Sequence, residues 1–252
     1  MQTTGIKWRT LAPAAPLSDF VESFWMIANN TNHDHQVVLI PDGRFDIIFS
    51  LKNKDGLAAV LRGLDTQPGP ATISANTAFF AISFKLLAVE YLLHEKVDSL
   101  LNEGAVLPAG FWNVSKHDLT DLEVFAEKVS AQMMSMIKPG IDDRKKQLFQ
   151  LIYSSNGTLT VKELSEKVFW SSRQINRYFN DQFGISLKAY CSIMRFRASL
   201  HHIKAGKLFP ELNYTDQTHF IKEVKKMTGV TPKELAKNQN DRFILLSALP
   251  KK

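Results

Sequence analysis

The chain has 252 residues, 44% of them apolar and 22% charged, which allows two domains with sizeable cores and excludes the disordered and fibrous classes. One cysteine, Cys191, excludes an internal disulfide framework and a cysteine zinc site within one chain; with no apolar run of about 18 residues and no basic-then-apolar leader, a cytoplasmic protein without membrane contact is expected. The net charge of +6 is uneven: cut at Lys138-Pro139-Gly140, residues 1–140 hold 11 Lys/Arg against 15 Asp/Glu, and residues 141–252 hold 20 against 10, so a polyanion-binding second half is expected.

In the first half, Pro41-Asp42-Gly43 is a turn with proline presetting φ and glycine supplying positive φ. It launches a strand over 44–49 with Phe45, Ile47 and Phe49 on one face. Segments 57–63, 71–74 and 79–84 continue the pattern, separated by Asp55-Gly56 and Gln67-Pro68-Gly69-Pro70. Such spacing predicts a small barrel or sandwich. From Leu86 the period becomes helical: Leu86, Val89, Leu92 and Leu93 share a face, and Leu119, Leu122, Phe125, Val129, Met133 and Met136 mark a second helix. The fold class expected is α+β, a barrel-like N-terminal domain with helices followed by an all-α C-terminal domain.

His33-Asp34-His35 is the one metal-like cluster, since residues two apart on a strand point the same way. It follows Asn29-Asn30-Thr31-Asn32 and reads better as a loop, so neither a metal nor a cofactor is expected. Trp8, Phe20, Phe24, Trp25, Phe79, Phe80, Phe84 and Trp112 could line an aromatic pocket, with most of them assigned to the core. No glycine-rich phosphate loop, nucleophile elbow or paired-carboxylate motif is present, and no enzyme is expected.

The second half repeats at a spacing of 45 residues: Phe179, Gly184, Ile185, Ser186, Lys188 and Tyr190 superpose on Val224, Gly229, Val230, Thr231, Lys233 and Leu235. Thr160-Val161-Lys162-Glu163 and Ser171-Ser172-Arg173-Gln174 are capping boxes eleven residues apart. Ile175, Phe179 and Phe183 form a buried stripe that Gly184 ends. Ser186 to Ala205 reads as one long helix. In the second copy Asp216 is the cap, Phe220, Val224 and Met227 form the stripe, Gly229 ends it, and Thr231-Pro232-Lys233-Glu234 opens another helix.

A short helix, a tight turn and a second helix with an open polar face is the helix-turn-helix arrangement. Its open face in the first copy is Ser172, Arg173, Asn176, Arg177 and Asn180. Arginine can pair two-pronged with guanine and asparagine with adenine, so these residues have the chemistry for reading double-stranded DNA in the major groove. The matching residues of the second copy are Gln217, Thr218, Ile221, Lys222 and Lys225, suited to a base edge, a thymine methyl and phosphate.

Residues 141–236 resemble the double helix-turn-helix domain of the AraC/XylS family of transcription regulators, through Ser171-x-x-x-Ile175-x-Arg177-x-Phe179, Phe183-Gly184-Ile185-Ser186, Arg195, Tyr214-x-Asp216-Gln217-x-His219-Phe220 and Gly229-Val230-Thr231-Pro232. The resemblance implies that the second helix of each unit enters the major groove. Residues 41–49 and Phe24-Trp25 resemble, more loosely, the sensing domains of such regulators. The division expected is 1–140 for sensing or dimerisation and 141–252 for DNA binding, with a small-molecule effector or a homodimer formed through the first half, dimerisation ranked ahead. One departure stands out: Gly157 precedes Ser171 by 14 residues, whereas Gly206 precedes Asp216 by 10, leaving only Phe209-Pro210-Glu211-Leu212 as a second support helix. The first unit is therefore expected to discriminate sequence and the second to add affinity. Two alternatives remain: a protein-interaction module without specific DNA readout, and a DNA-repair methyl acceptor, which would need first-half cysteines that the chain lacks.

Overall fold

The structure, a computed structural model, describes residues 5–52, 56–209 and 214–249. The first half contributes strands β1 (Ile6–Leu11), β2 (Val21–Asn29), β3 (His35–Leu39), β4 (Phe45–Lys52), β5 (Gly56–Arg62), β6 (Gly69–Ile73), β7 (Thr77–Phe84) and β8 (Gly104–Val106). They pair antiparallel into a six-stranded sheet, β1-β2-β7-β4-β5-β8, and a two-stranded sheet, β3-β6. Strands β1 and β8 remain edges of the larger sheet, so the body is an open pair of sheets and not a closed barrel.

Alternation along the strands divides the large sheet into two chemically different faces. Phe45, Ile47 and Phe49 pair with Phe84, Ile82 and Phe80 across β4 and β7, and all six are buried. Phe45 and Phe84 stack with centroids 5.1 Å apart, and Phe125 sits 5.6 Å from both Phe49 and Phe80. The opposite parity carries Trp25, Asp46 and Ser83, with Asp46 and Ser83 directly paired.

Phe125 belongs to α1 (Leu122–Met136), which Asp121 caps by accepting from the Glu123 amide. The helix expected from Leu86 is a single turn, Val89–Leu93. His94 stops it in the left-handed region, φ 61°, and its ring nitrogens lie 3.1 Å from the carbonyls of Glu90 and Met136. Leu119 lies in the turn before α1, and Met133 is fully buried, so among Met133, Met134 and Met136 only Met134 is well exposed.

The second half is helical: α2 (Asp143–Ser154), α3 (Val161–Val168), α4 (Ser172–Phe183), α5 (Leu187–Lys204), α6 (Gln217–Thr228), α7 (Pro232–Lys237) and α8 (Ile244–Ala248). Its core is continuous with that of the first half. Phe149 of α2 packs against Phe179 and Phe183 at 5.8 and 6.1 Å. The Tyr153 hydroxyl accepts from the Leu86 amide, and the Tyr190 hydroxyl donates to the Gly43 carbonyl at 2.9 Å. Glu22 receives both Arg44 and Arg197, at 3.0 and 2.6 Å. Beyond α7 the chain returns to the small sheet: the Val38 amide donates to the Arg242 carbonyl at 2.7 Å, and Ile244 packs with Ile6, Val37 and Ile73. Among the described residues, no helix is long and apolar enough to cross a membrane.

Candidate nucleic-acid interface

Both capping boxes of the first unit form as the sequence predicts. The Thr160 hydroxyl accepts from the Glu163 amide while the Glu163 carboxylate accepts from the Thr160 amide, starting α3, and Ser171 and Gln174 do the same for α4. Leu164 and Val168 of α3 and Ile175, Phe179 and Phe183 of α4 are buried, so each short helix is held by one apolar stripe. Gly184 ends α4 at φ 69°. Between the two helices Phe169 takes a left-handed backbone, φ 52°, with its side chain 90% exposed. A bulky side chain in that region is strained and outside the core, and neither feature was signalled by the sequence pattern.

On the open face of α4, Arg173, Arg177 and Asn180 are exposed and Ser172 is half-buried. Asn176 is placed differently. Its amide donates to the Ser172 carbonyl at 3.0 Å and its side-chain oxygen accepts from the Leu187 amide at 3.3 Å. One bond of that amide thus lies within α4 and the other joins α4 to the start of α5. Asp181, on the same open face, is neutralised by Lys96 at 2.6 Å, and this contact holds its carboxyl below the usual range.

Ser186 caps α5 by accepting from the Ala189 amide. The helix is docked on the first unit by Arg195, whose guanidinium donates to the Gly157 carbonyl at 2.9 Å and to the Ser192 hydroxyl at 3.0 Å. Cys191 lies in its buried face, and burial pushes its thiol up to about 11.

In the second unit Asp216 caps α6 by accepting from the His219 amide at 2.8 Å. Phe220, Val224 and Met227 are buried, and Gly229 ends the helix at φ 76°. Gln217, Thr218, Lys222 and Lys225 are exposed and Ile221 is half-buried. Thr231 and Glu234 form the reciprocal cap of α7, with Pro232 in its first turn. Phe209 is 68% exposed; the rest of the expected second support segment, 210–212, lies outside the described residues. The result is two helices of like design, each presenting exposed cationic and amide side chains without a carboxylate that lacks a partner on the face of α4.

Comparison with known proteins adds a name to part of this geometry. Residues 164–238 match the family described as a helix-turn-helix domain, and residues 9–105 match a domain of unknown function (DUF6597). No curated protein matches the chain. Among solved structures, ToxT from Vibrio cholerae O395 is similar with a TM-score of 0.44 at 10% identity, over 98% of this chain and 100% of that one. A second ToxT structure, at 1.65 Å, gives 0.43 at 12% identity over 92% and 97%. ToxT of strain SCE256 bound to an unsaturated fatty acid gives 0.42 at 12% over 92% and 94%.

Proposed function

We infer, from an AraC-type helix-turn-helix domain at residues 164–238, that the chain is a DNA-binding regulator of transcription whose first half senses a small molecule. The observation that carries this reading is the pair of capped, glycine-terminated helices α4 and α6, each with an exposed basic and amide face in a half of the chain with ten more cations than carboxylates. Arg173, Arg177 and Asn180 read base edges, while Ser172 and Asn176 position the helix. Gln217, Thr218, Lys222 and Lys225 hold the backbone, with Ile221 beside them. The working division is 1–140 and 141–252, with residues 242–249 serving the first half. Cys191 does not suit a methyl acceptor, because a buried thiol with a raised pKa yields little thiolate.

The test is binding of the full chain to duplex DNA across a salt titration. Counterion release predicts an affinity that falls steeply and linearly on a logarithmic salt axis. A flat response, or no binding at low salt, overturns the reading in favour of a protein-interaction module.

A further inference from the structure

The face of the large sheet opposite the phenylalanine core lines a partly open cavity of about 200 Å³. Trp8, Trp25 and Ile48 of the sheet, Leu39 of β3, and Ile244 and Leu245 of α8 supply its apolar walls. Charged groups also reach it, and each arginine of the lining has an acidic partner. Arg62 meets Asp65 through two bonds, at 3.1 and 2.6 Å. Arg44 is taken by Glu22 at 3.0 Å, with Asp42 3.7 Å away, and Arg9 by Asp121 and Glu123.

Asp46 is the exception. No cation lies within ion-pairing distance of it among the described residues. The Ser83 hydroxyl donates to Oδ1, the Trp25 indole N–H is shared between the Ser83 hydroxyl oxygen, at 3.1 Å, and Oδ1, at 3.4 Å, and no protein donor reaches Oδ2 among the described residues. A carboxylate in such surroundings is costly unless its charge is met. Burial, reinforced by the neighbouring Asp42, pushes the Asp46 carboxyl up to about 7. A cation seated beside Oδ2 would offset that cost, and indole rings in the wall suit the body of an organic cation. An anion would meet arginines each already engaged by an acid, with the Arg44 Nε as the one guanidinium nitrogen of the lining that is buried without a partner among the described residues, and a polyhydroxylated ligand finds few open polar partners.

We propose that this cavity binds a small protonated amine with an apolar body, its ammonium group on Asp46 and its body among Trp8, Trp25 and the aliphatic side chains of α8. The proposal rests on the reading of the first half as a sensor and gives that sensor a ligand class. It also gives the ligand a route to the second half. Lys204, at the end of α5, donates to the carbonyls of Leu246, Ser247 and Leu249, so the helix that walls the cavity is held by the helix that links the two DNA-binding units.

The test is calorimetric titration of the full chain with isobutylamine, phenethylamine and tryptamine, each paired with its neutral alcohol isostere: isobutanol, 2-phenylethanol and tryptophol. At least one amine is expected to bind, with its alcohol at least about tenfold weaker. Asp46→Asn is expected to erase that preference while leaving the circular dichroism unchanged. The proposal is overturned if no amine binds at millimolar concentration, or if alcohols bind as well as amines to the natural chain, a comparison that needs no variant. A folded Asp46→Asn chain that keeps the preference overturns it too. No DNA is present in these titrations, so failure of the amine site and failure of the regulator reading are scored separately.

Discussion

The two helix-turn-helix units follow one sequence plan but differ in what holds them. Helix α4 is tied to the first half by the Lys96–Asp181 ion pair, by the Val97 amide donating to the Gln182 carbonyl, and by the Tyr178 hydroxyl donating to Glu90. Glu90 is in turn gripped by Lys145 at 2.6 Å. Helix α6 packs on α5 and α7 instead. Local sequence sets the internal geometry of each unit, while distant residues set how firmly its recognition helix is oriented. The first unit is the one tied by ion pair and hydrogen bonds to the first half.

The two terminating glycines give the largest test of that contrast. A Cβ at Gly184 would lie 2.7 Å from the Asp98 carbonyl oxygen, whereas a Cβ at Gly229 would meet only Pro68 Cγ, at 4.0 Å. Both substitutions incur left-handed strain of about 1 kcal/mol. Gly184→Ala adds a backbone clash and should cost about 3 kcal/mol in all, measured by urea unfolding. Equal losses at the two positions would mean that the first unit is no more firmly seated than the second.

Next in size is the division of labour on DNA. Arg177→Ala should cost about 1–3 kcal/mol on the preferred site and relax preference at one or two base pairs. Lys222→Ala should weaken matched and mismatched sites by similar factors and lower the salt slope by about one ion. A change of preferred base caused by Lys222→Ala would show the second unit reading sequence and break the comparison.

The smallest effect expected is at Asn176. Because its amide bonds only to backbone of α4 and α5, Asn176→Ala should cost about 1 kcal/mol of stability. Base preference in a selection from random duplexes should be unchanged. A shift in preference at one position would place Asn176 on a base edge.

What was legible in the sequence is what local chemistry decides. The caps Thr160, Ser171, Asp216 and Thr231, the stops Gly184 and Gly229, and the long helix after Ser186 all rest on residues within a few positions of one another. The helical period from Leu86 misled because His94, bonded across to the Met136 carbonyl, closes it after one turn. The bond that Asn176 accepts left no trace in the local pattern because it comes from Leu187, eleven residues on. The cavity was illegible for the same reason on a larger scale. Trp8 and Trp25 stand among eight aromatics that the sequence divides between pocket and core without saying which, and another part of the wall comes from Ile244 and Leu245, more than two hundred residues away. Such pairings leave no periodic trace.

The return of α8 to the small sheet also bears on how the protein is made. During synthesis, domains fold largely in order as the chain emerges from the ribosome. Here the strands that frame the cavity are complete by Phe84, yet its remaining wall, and the Arg242 carbonyl that meets the Val38 amide, emerge only after both DNA-binding units. A nascent chain therefore completes α4 and α6 before the wall that α8 adds to the cavity.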